Sequence, residues 1–325
     1  MLRSSSASLA RLSRHTPLPA RWGAFALVAC ALVAMASPAE AFCRNTTCKD
    51  TDKKTCLKDD KGCTTEGNAL FWPTSWIEFH MNQQGTQFLD LRETRTAIMK
   101  AFRSWSAVDC GGGKQASMTF VAKEDVACKK AEYNRDGKNV NVVLFQDNDW
   151  RYRGIDGTLA KTSTTFDTET GEIFDADIEV NTAFNKVTVT DTAGQIQYDL
   201  QAILAHEVGH FLGIGHSENE RATMYARYVP GTTEIRQLNQ DDKDAVCAAY
   251  PPNNGVACNQ EPRGGYSATC DGTPAADPET SCAAAGEPAR GGSDPRWALV
   301  VAGSMVVISL GRRGLGRRLT SERAS

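Results

Sequence analysis

Three histidines and a glutamate fall within eleven residues, His206-Glu207-Val208-Gly209-His210-Phe211-Leu212-Gly213-Ile214-Gly215-His216. His206 and His210 are four positions apart. On a helix that spacing puts both imidazoles on one face, one turn apart, where they can bind one metal ion. Glu207 sits beside the first of them, able to reach a water on the metal rather than the metal itself. Gly213 can take a left-handed conformation and end the helix. The chain can then turn back and bring His216 round as a third ligand. Three protein ligands leave a fourth position open for water, as a catalytic zinc site needs, and zinc lowers the pKa of that water to roughly 7. A lone histidine is usually a satisfied core or surface residue, but here three of the four histidines beyond the leader share one short stretch. The fourth, His80, lies in the alternating run Trp76-Ile77-Glu78-Phe79-His80-Met81 and reads as structural.

The extended pattern HExxHxxGxxH resembles the metzincin metallopeptidases, and Ser217 directly after the third histidine resembles their matrixin branch. Met224, in Ala222-Thr223-Met224-Tyr225, lies eight residues past His216 and fits the matrixin Met-turn. The resemblance also reaches residues 95–105 as a first helix, 176–181 as the strand before the active-site helix and 238–251 as a closing helix, about residues 70–251 in all. It implies an α+β, metzincin-like catalytic domain: a small mixed twisted sheet, three helices and a Met-turn. It also implies one catalytic zinc on His206, His210 and His216, with Glu207 as general base. Animal matrixins carry a second zinc on three further histidines and an aspartate, for which this chain lacks the histidines. Their PRCGxPD-type latency motif is absent too. Asp147, Asn148, Asp149, Asp156 and Asp167 could take calcium, yet none matches a recognisable loop, and surface solvation is the preferred reading.

The implied reaction is hydrolysis of a protein or peptide substrate lying extended along an edge strand at about residues 159–166. Residues 225–231, beginning with Tyr225, would wall the pocket for the residue after the cut. The competing functions are a non-catalytic surface adhesin or scaffold on the same fold, which has no need of Glu207, and a narrow peptidase that processes one envelope protein.

The elements that must position these groups follow from periodicity. Residues 76–81 alternate as a strand, and residues 91–105 repeat apolar positions at three- and four-residue steps as a helix. Residues 117–121 and 140–145 read as strands, as do 159–165 and 172–180 on either side of the turn Thr168-Glu169-Thr170-Gly171. Residues 200–212 read as the helix that Gly213 stops. Residues 239–249 form a last helix, with Asp241 and Asp242 in its first turn suiting the dipole and Pro251 ending it.

The ends read as addresses. Residues 1–41 combine Arg3, Arg11, Arg14 and Arg21, an apolar run from 23 to 36 and the small-x-small site Ala39-Glu40-Ala41, which together read as a signal peptide. An uncleaved anchor or a lipoprotein beginning at Cys30 are the alternatives. Residues 42–69 form a Cys-rich element, and residues 252–296 a linker rich in Pro, Gly and Ala. Residues 297–325 hold an apolar run, read as a helix over 297–310, and an Arg cluster. With Cys282 they resemble the MYXO-CTERM sorting tails, over about residues 281–319; a simple tail anchor is the alternative. Export to the extracellular space or cell surface follows, with membrane or surface attachment through the tail.

The formal net charge is −3 with both ends basic, so the body is acidic, which argues against nucleic acid as a partner. Ten cysteines beyond Cys30, without CxxC pairs, suggest disulfides. Setting Cys282 aside leaves an odd number, hence one free thiol or a pairing that uses Cys282. Cys110 with Cys128 and Cys258 with Cys270 are the local pairs expected.

Overall fold

The computed structural model describes residues 41–51, 53–152, 158–252 and 262–270, together with the backbone of 302–307. One mixed sheet runs in the order β2-β1-β3-β5-β4, with a sixth strand from the tail on the outer edge of β4: β1 (Trp76–Met81), β2 (Thr119–Ala122), β3 (Val142–Gln146), β4 (Thr158–Phe166) and β5 (Ile173–Asn181). β1, β2, β3 and β5 run parallel, while β4 returns antiparallel to β5 across a tight turn. Asp167 shapes that turn by accepting from the backbone N–H groups of Glu169 and Thr170. The α+β class and the three helices agree with the sequence reading, and the helix and strand limits differ from it by a few residues at most.

Helix α1 (Leu91–Ser106) starts at Asp90, whose carboxylate accepts from the N–H groups of Arg92 and Glu93. It turns Ile98, Ala101, Phe102 and Trp105 inward. Phe102 stacks on Phe79 of β1 at 3.8 Å between ring centroids, which seats α1 on the sheet. Helix α2 (Leu200–Phe211) is buried on every side except at Gln201. Helix α3 (Gln240–Ala249) opens with a capping box formed by Asn239 and Asp242.

Short elements with no periodic signal complete the fold. β6 (Val187–Thr188) pairs parallel with β7 (Tyr198–Asp199), and a 3-10 turn spans Glu234–Arg236. Within the tail, Ala302–Val307 is not helix but strand β8, antiparallel to the outer edge of β4. A short apolar run has no periodicity that separates helix from strand, and β4 offers unpaired backbone groups that a strand satisfies.

The disulfides are Cys43–Cys63, Cys48–Cys56, Cys110–Cys247 and Cys128–Cys270. Neither expected local pair forms. The loop after α1 lies against the end of α3, where Ser117 N–H donates to Tyr250 O at 3.0 Å, and this brings Cys110 to Cys247. The 262–270 segment lies against the 128–140 loop, with Ser267 N–H donating to Asn139 O at 2.7 Å, so Cys128 meets Cys270. That part of the expected linker is therefore tied to the catalytic body. Cys258 and Cys282 lie outside the described residues, as does the leader over residues 1–40. Among the described residues no helix is long and apolar enough to cross a membrane.

Candidate metal centre and active site

Helix α2 carries the first two histidines, and both of its ends are fixed. At its start, Asp199 accepts from Ala202 N–H at 2.8 Å and receives Arg236 Nε at 2.7 Å, so the loop after the Met-turn is pinned to the helix. At its end the last carbonyls would lack partners, and each finds one. Trp72 Nε1 donates to Phe211 O at 2.8 Å, and the Tyr250 hydroxyl to Leu212 O at 2.9 Å. Gly213 then takes φ +79°, and a Cβ there would stand 2.6 Å from Leu70 O, so glycine is needed both for the turn and for the close approach. The turn returns His216 to the other two.

The three imidazoles converge. His206 Nε2 stands 3.1 Å from His210 Nε2, which stands 3.2 Å from His216 Nε2. His206 Nδ1 donates to Thr223 O at 2.7 Å and His210 Nδ1 to Ile214 O at 2.9 Å. A carbonyl only accepts, so both rings carry their proton on Nδ1 and turn an Nε2 lone pair to the centre. Lone pairs facing each other at this distance repel unless a cation lies between them. Nitrogens about 2.0–2.1 Å from a tetrahedral zinc are roughly 3.3 Å apart, so the donor set fits that ion. Burial also keeps the imidazoles neutral: it lowers His210 and His216, and with the neighbouring His216 it brings His206 to about 3.

Glu207 is fully buried, and burial pushes its carboxyl up to about 8 against two hydrogen bonds from Thr162. Thr162 Oγ1, on the face of β4 that meets α2, lies 2.5 Å from Glu207 Oε2 and 3.1 Å from Glu207 O. Glu207 Oε1 is buried with no hydrogen-bond partner. A cation held by the neighbouring imidazoles would favour the ionised carboxylate and draw that pKa back down, and the unpaired oxygen would then be open to a proton from a reacting molecule.

Met224 is buried beneath the site. A Cβ on Gly209, between the two helical ligands, would stand 2.1 Å from Met224 Sδ and 2.9 Å from Trp105 Cζ2, so the glycine lets the Met-turn pack directly on the helix. The buried carboxylate of Asp242 holds that turn, accepting from Thr223 N–H at 2.8 Å, Met224 N–H at 3.0 Å and Asn239 N–H at 2.7 Å. Asp241 accepts from Ser217 Oγ at 2.6 Å, beside His216. The sequence reading credited these two acids only with the helix dipole. Thr162, Asp199 and Arg236 escaped it altogether, since no local pattern marks them.

Tyr225 is half-buried, with its hydroxyl 3.5 Å from Glu220 Oε1. His80 is buried in β1, Nδ1 against Glu124 O at 2.7 Å, away from the histidine cluster. Among the described residues, the acids considered for calcium form no group able to hold a metal. Asp147 accepts from Thr86 Oγ1 at 2.6 Å and from Gln87 N–H at 2.8 Å, Asp167 pairs with Arg263 at 3.0 Å, and Asp156 lies outside the described residues. The strand placed at residues 159–166 is β4, but its outer edge carries β8 rather than lying free. A cavity of about 730 Å³ opens on the opposite face of β4, lined by Lys161, Ser163, Asp175 and Asp177, and does not include the histidines.

The chain is similar in sequence to several known metalloendoproteinases and collagenases. Metalloendoproteinase 1-MMP of Arabidopsis thaliana is 25% identical over 168 residues, 51% of this chain and 40% of that protein. Metalloendoproteinase 1 of Glycine max is 29% identical over 160 residues, 49% of this chain and 46% of that one. The neutrophil collagenase of Homo sapiens is 27% identical over 200 residues, 61% and 37% respectively. The chain thus spans less than half the length of each of these relatives. The matrixin family model matches residues 71–251, more than half of the chain and all of the stretch that bears the three histidines. The chain belongs to the matrixin family.

Proposed function

We propose that the protein is an exported zinc-dependent endopeptidase that hydrolyses peptide bonds in protein or peptide substrates. The observation that carries this reading is the convergence of three neutral imidazole nitrogens beside a buried carboxylate, Glu207, whose Oε1 has no partner. His206, His210 and His216 would hold the ion, which when bound polarises the scissile carbonyl and lowers the pKa of a water to about 7. Glu207 takes the proton of the attacking water and passes it to the leaving amine. Thr162 holds Oε2, which leaves Oε1 free for that proton. The substrate lies extended along β4, paired through its main chain, and Tyr225 begins the wall beyond the cut.

Export is supported by the leader pattern and by four disulfides, which persist in oxidising compartments. Attachment to the cell surface through residues 281–325 is part of the same reading. β8 on the edge of β4 favours narrow processing over broad digestion, because a substrate strand must displace it.

The test is a proteome-derived peptide library offered to the purified protein. Cleavage that a strong chelator abolishes and added zinc restores is expected. A zinc-loaded protein that cleaves nothing would contradict the proposal.

A further inference from the structure

Segment 43–45 lies in the Cys-rich element, outside the stretch matched by the family. It nevertheless lies against the turn between the second and third histidines. Arg44 forms an antiparallel bridge with Ile214. Asn45 N–H donates to Gly213 O and Gly215 N–H donates to Cys43 O, each at 2.9 Å. The turn that must present His216 is thereby paired on both sides of its apex, as if to a one-residue strand.

A side chain completes the pairing. Asn45 Nδ2 donates to Ile214 O at 3.2 Å. That same oxygen accepts from His210 Nδ1 at 2.9 Å. A carbonyl has two lone pairs, so the two donors share it without competing. Asn45 thus fixes the oxygen that sets the tautomer and tilt of His210. Fit is close here: a Cβ on Gly215 would meet Cys43 Cβ at 3.1 Å. The segment is anchored on its far side as well. Cys43 is bonded to Cys63, Leu70 N–H donates to Asn45 O at 2.8 Å, and the Arg44 guanidinium donates to Leu70 O.

We propose that segment 43–45 is a strap that holds the third-ligand turn for metal binding, with Asn45 as a positioning residue for His210 and the Cys43–Cys63 disulfide as its anchor. The inference rests on the metal-binding half of the function proposed above and is independent of peptide hydrolysis. Partners that orient a metal ligand typically change metal affinity about 10–100-fold when removed. Asn45 acts one bond further out, so the effect expected is near the lower end.

The experiment measures zinc release from the full secreted chain to a chromogenic chelator, beside melting temperatures with and without zinc. Asn45→Ala should release zinc about tenfold faster than wild type, with little change in the melting temperature of the metal-free protein. Asn45→Asp keeps the volume and loses the donor, so it should behave like Asn45→Ala; if only packing mattered it would behave like wild type. Cys43→Ser with Cys63→Ser should also speed release, and if that pair fails to fold, the Asn45 variants decide. Wild-type release rates in both Asn45 variants would overturn the strap. So would equal loss of stability with and without zinc, which would mark a structural role alone. A wild-type protein that takes up no zinc would instead overturn the metal site itself.

Discussion

Thr162 Oγ1 stands 2.5 Å from Glu207 Oε2, although 45 residues separate the two in sequence. The contact joins strand β4 to the helix that bears His206 and His210. It leaves the other carboxylate oxygen unpaired. Thr162→Val keeps the shape of the side chain and deletes the donor. A hydrogen bond to a charged group contributes about 1.5–3 kcal/mol, so kcat/KM for a cleaved peptide should fall about tenfold to a hundredfold. Steady-state kinetics on the zinc-loaded variant checks this.

Gly209→Ala should destabilise the protein by about 1–3 kcal/mol, the usual cost of overpacking a full core. The added methyl would meet the Met224 thioether and the Trp105 ring, and both are buried. The flexible Met224 could yield, but the Trp105 indole is held by its bond to Ala205 O at 2.8 Å. Denaturant melts of Gly209→Ala, Met224→Ala and the double variant test the clash. In the double variant the loss should be less than the sum of the single losses.

His80 gives stability a pH dependence of definite sign. Burial lowers its pKa from the ordinary histidine value, against the raising effects of the Glu124 carbonyl and Glu78, with Lys123 lowering it further. The unfolded chain therefore binds a proton near pH 6.5 that the folded chain does not. This contribution to stability is complete above that pH and is lost as pH falls towards the folded value. Melts of wild type and His80→Gln across pH 4–8 should diverge on the acid side only.

How much was legible depended on distance along the chain. The approach of His206 and His210 on one helix face, the stop at Gly213 and the return to His216 all fall within eleven residues, so spacing alone was enough to expect the three rings together. Strand β1 and helix α1 were legible for the same reason, since their periods are local. Thr162 was not, because its place opposite Glu207 depends on the register of β4 against β5. Asp242 was seen only as a helix-start acid, since the turn it holds lies 18 residues upstream of it. Cys110–Cys247 and Cys128–Cys270 span 137 and 142 residues, and only the packed loops bring their partners together. β8 was mistaken for helix because a short apolar run carries no period to separate the two.

Deleting residues 281–325 removes β8 and uncovers the outer edge of β4. The truncated protein should appear in the medium and cleave peptides several-fold faster than the full chain. Fractionation and kcat/KM on one peptide substrate check both halves. Unchanged partition and unchanged rate would remove the tail from the account.

The account stands most directly on Glu207. Glu207→Ala, expressed and purified beside wild type, should retain about one zinc per chain by metal analysis, because the account assigns the ion to the three histidines and not to Glu207. Its peptide hydrolysis should fall by at least the ~10²–10⁴-fold typical of a lost general base. Zinc-loaded Glu207→Ala that cleaves peptides at the wild-type rate would contradict the central claim.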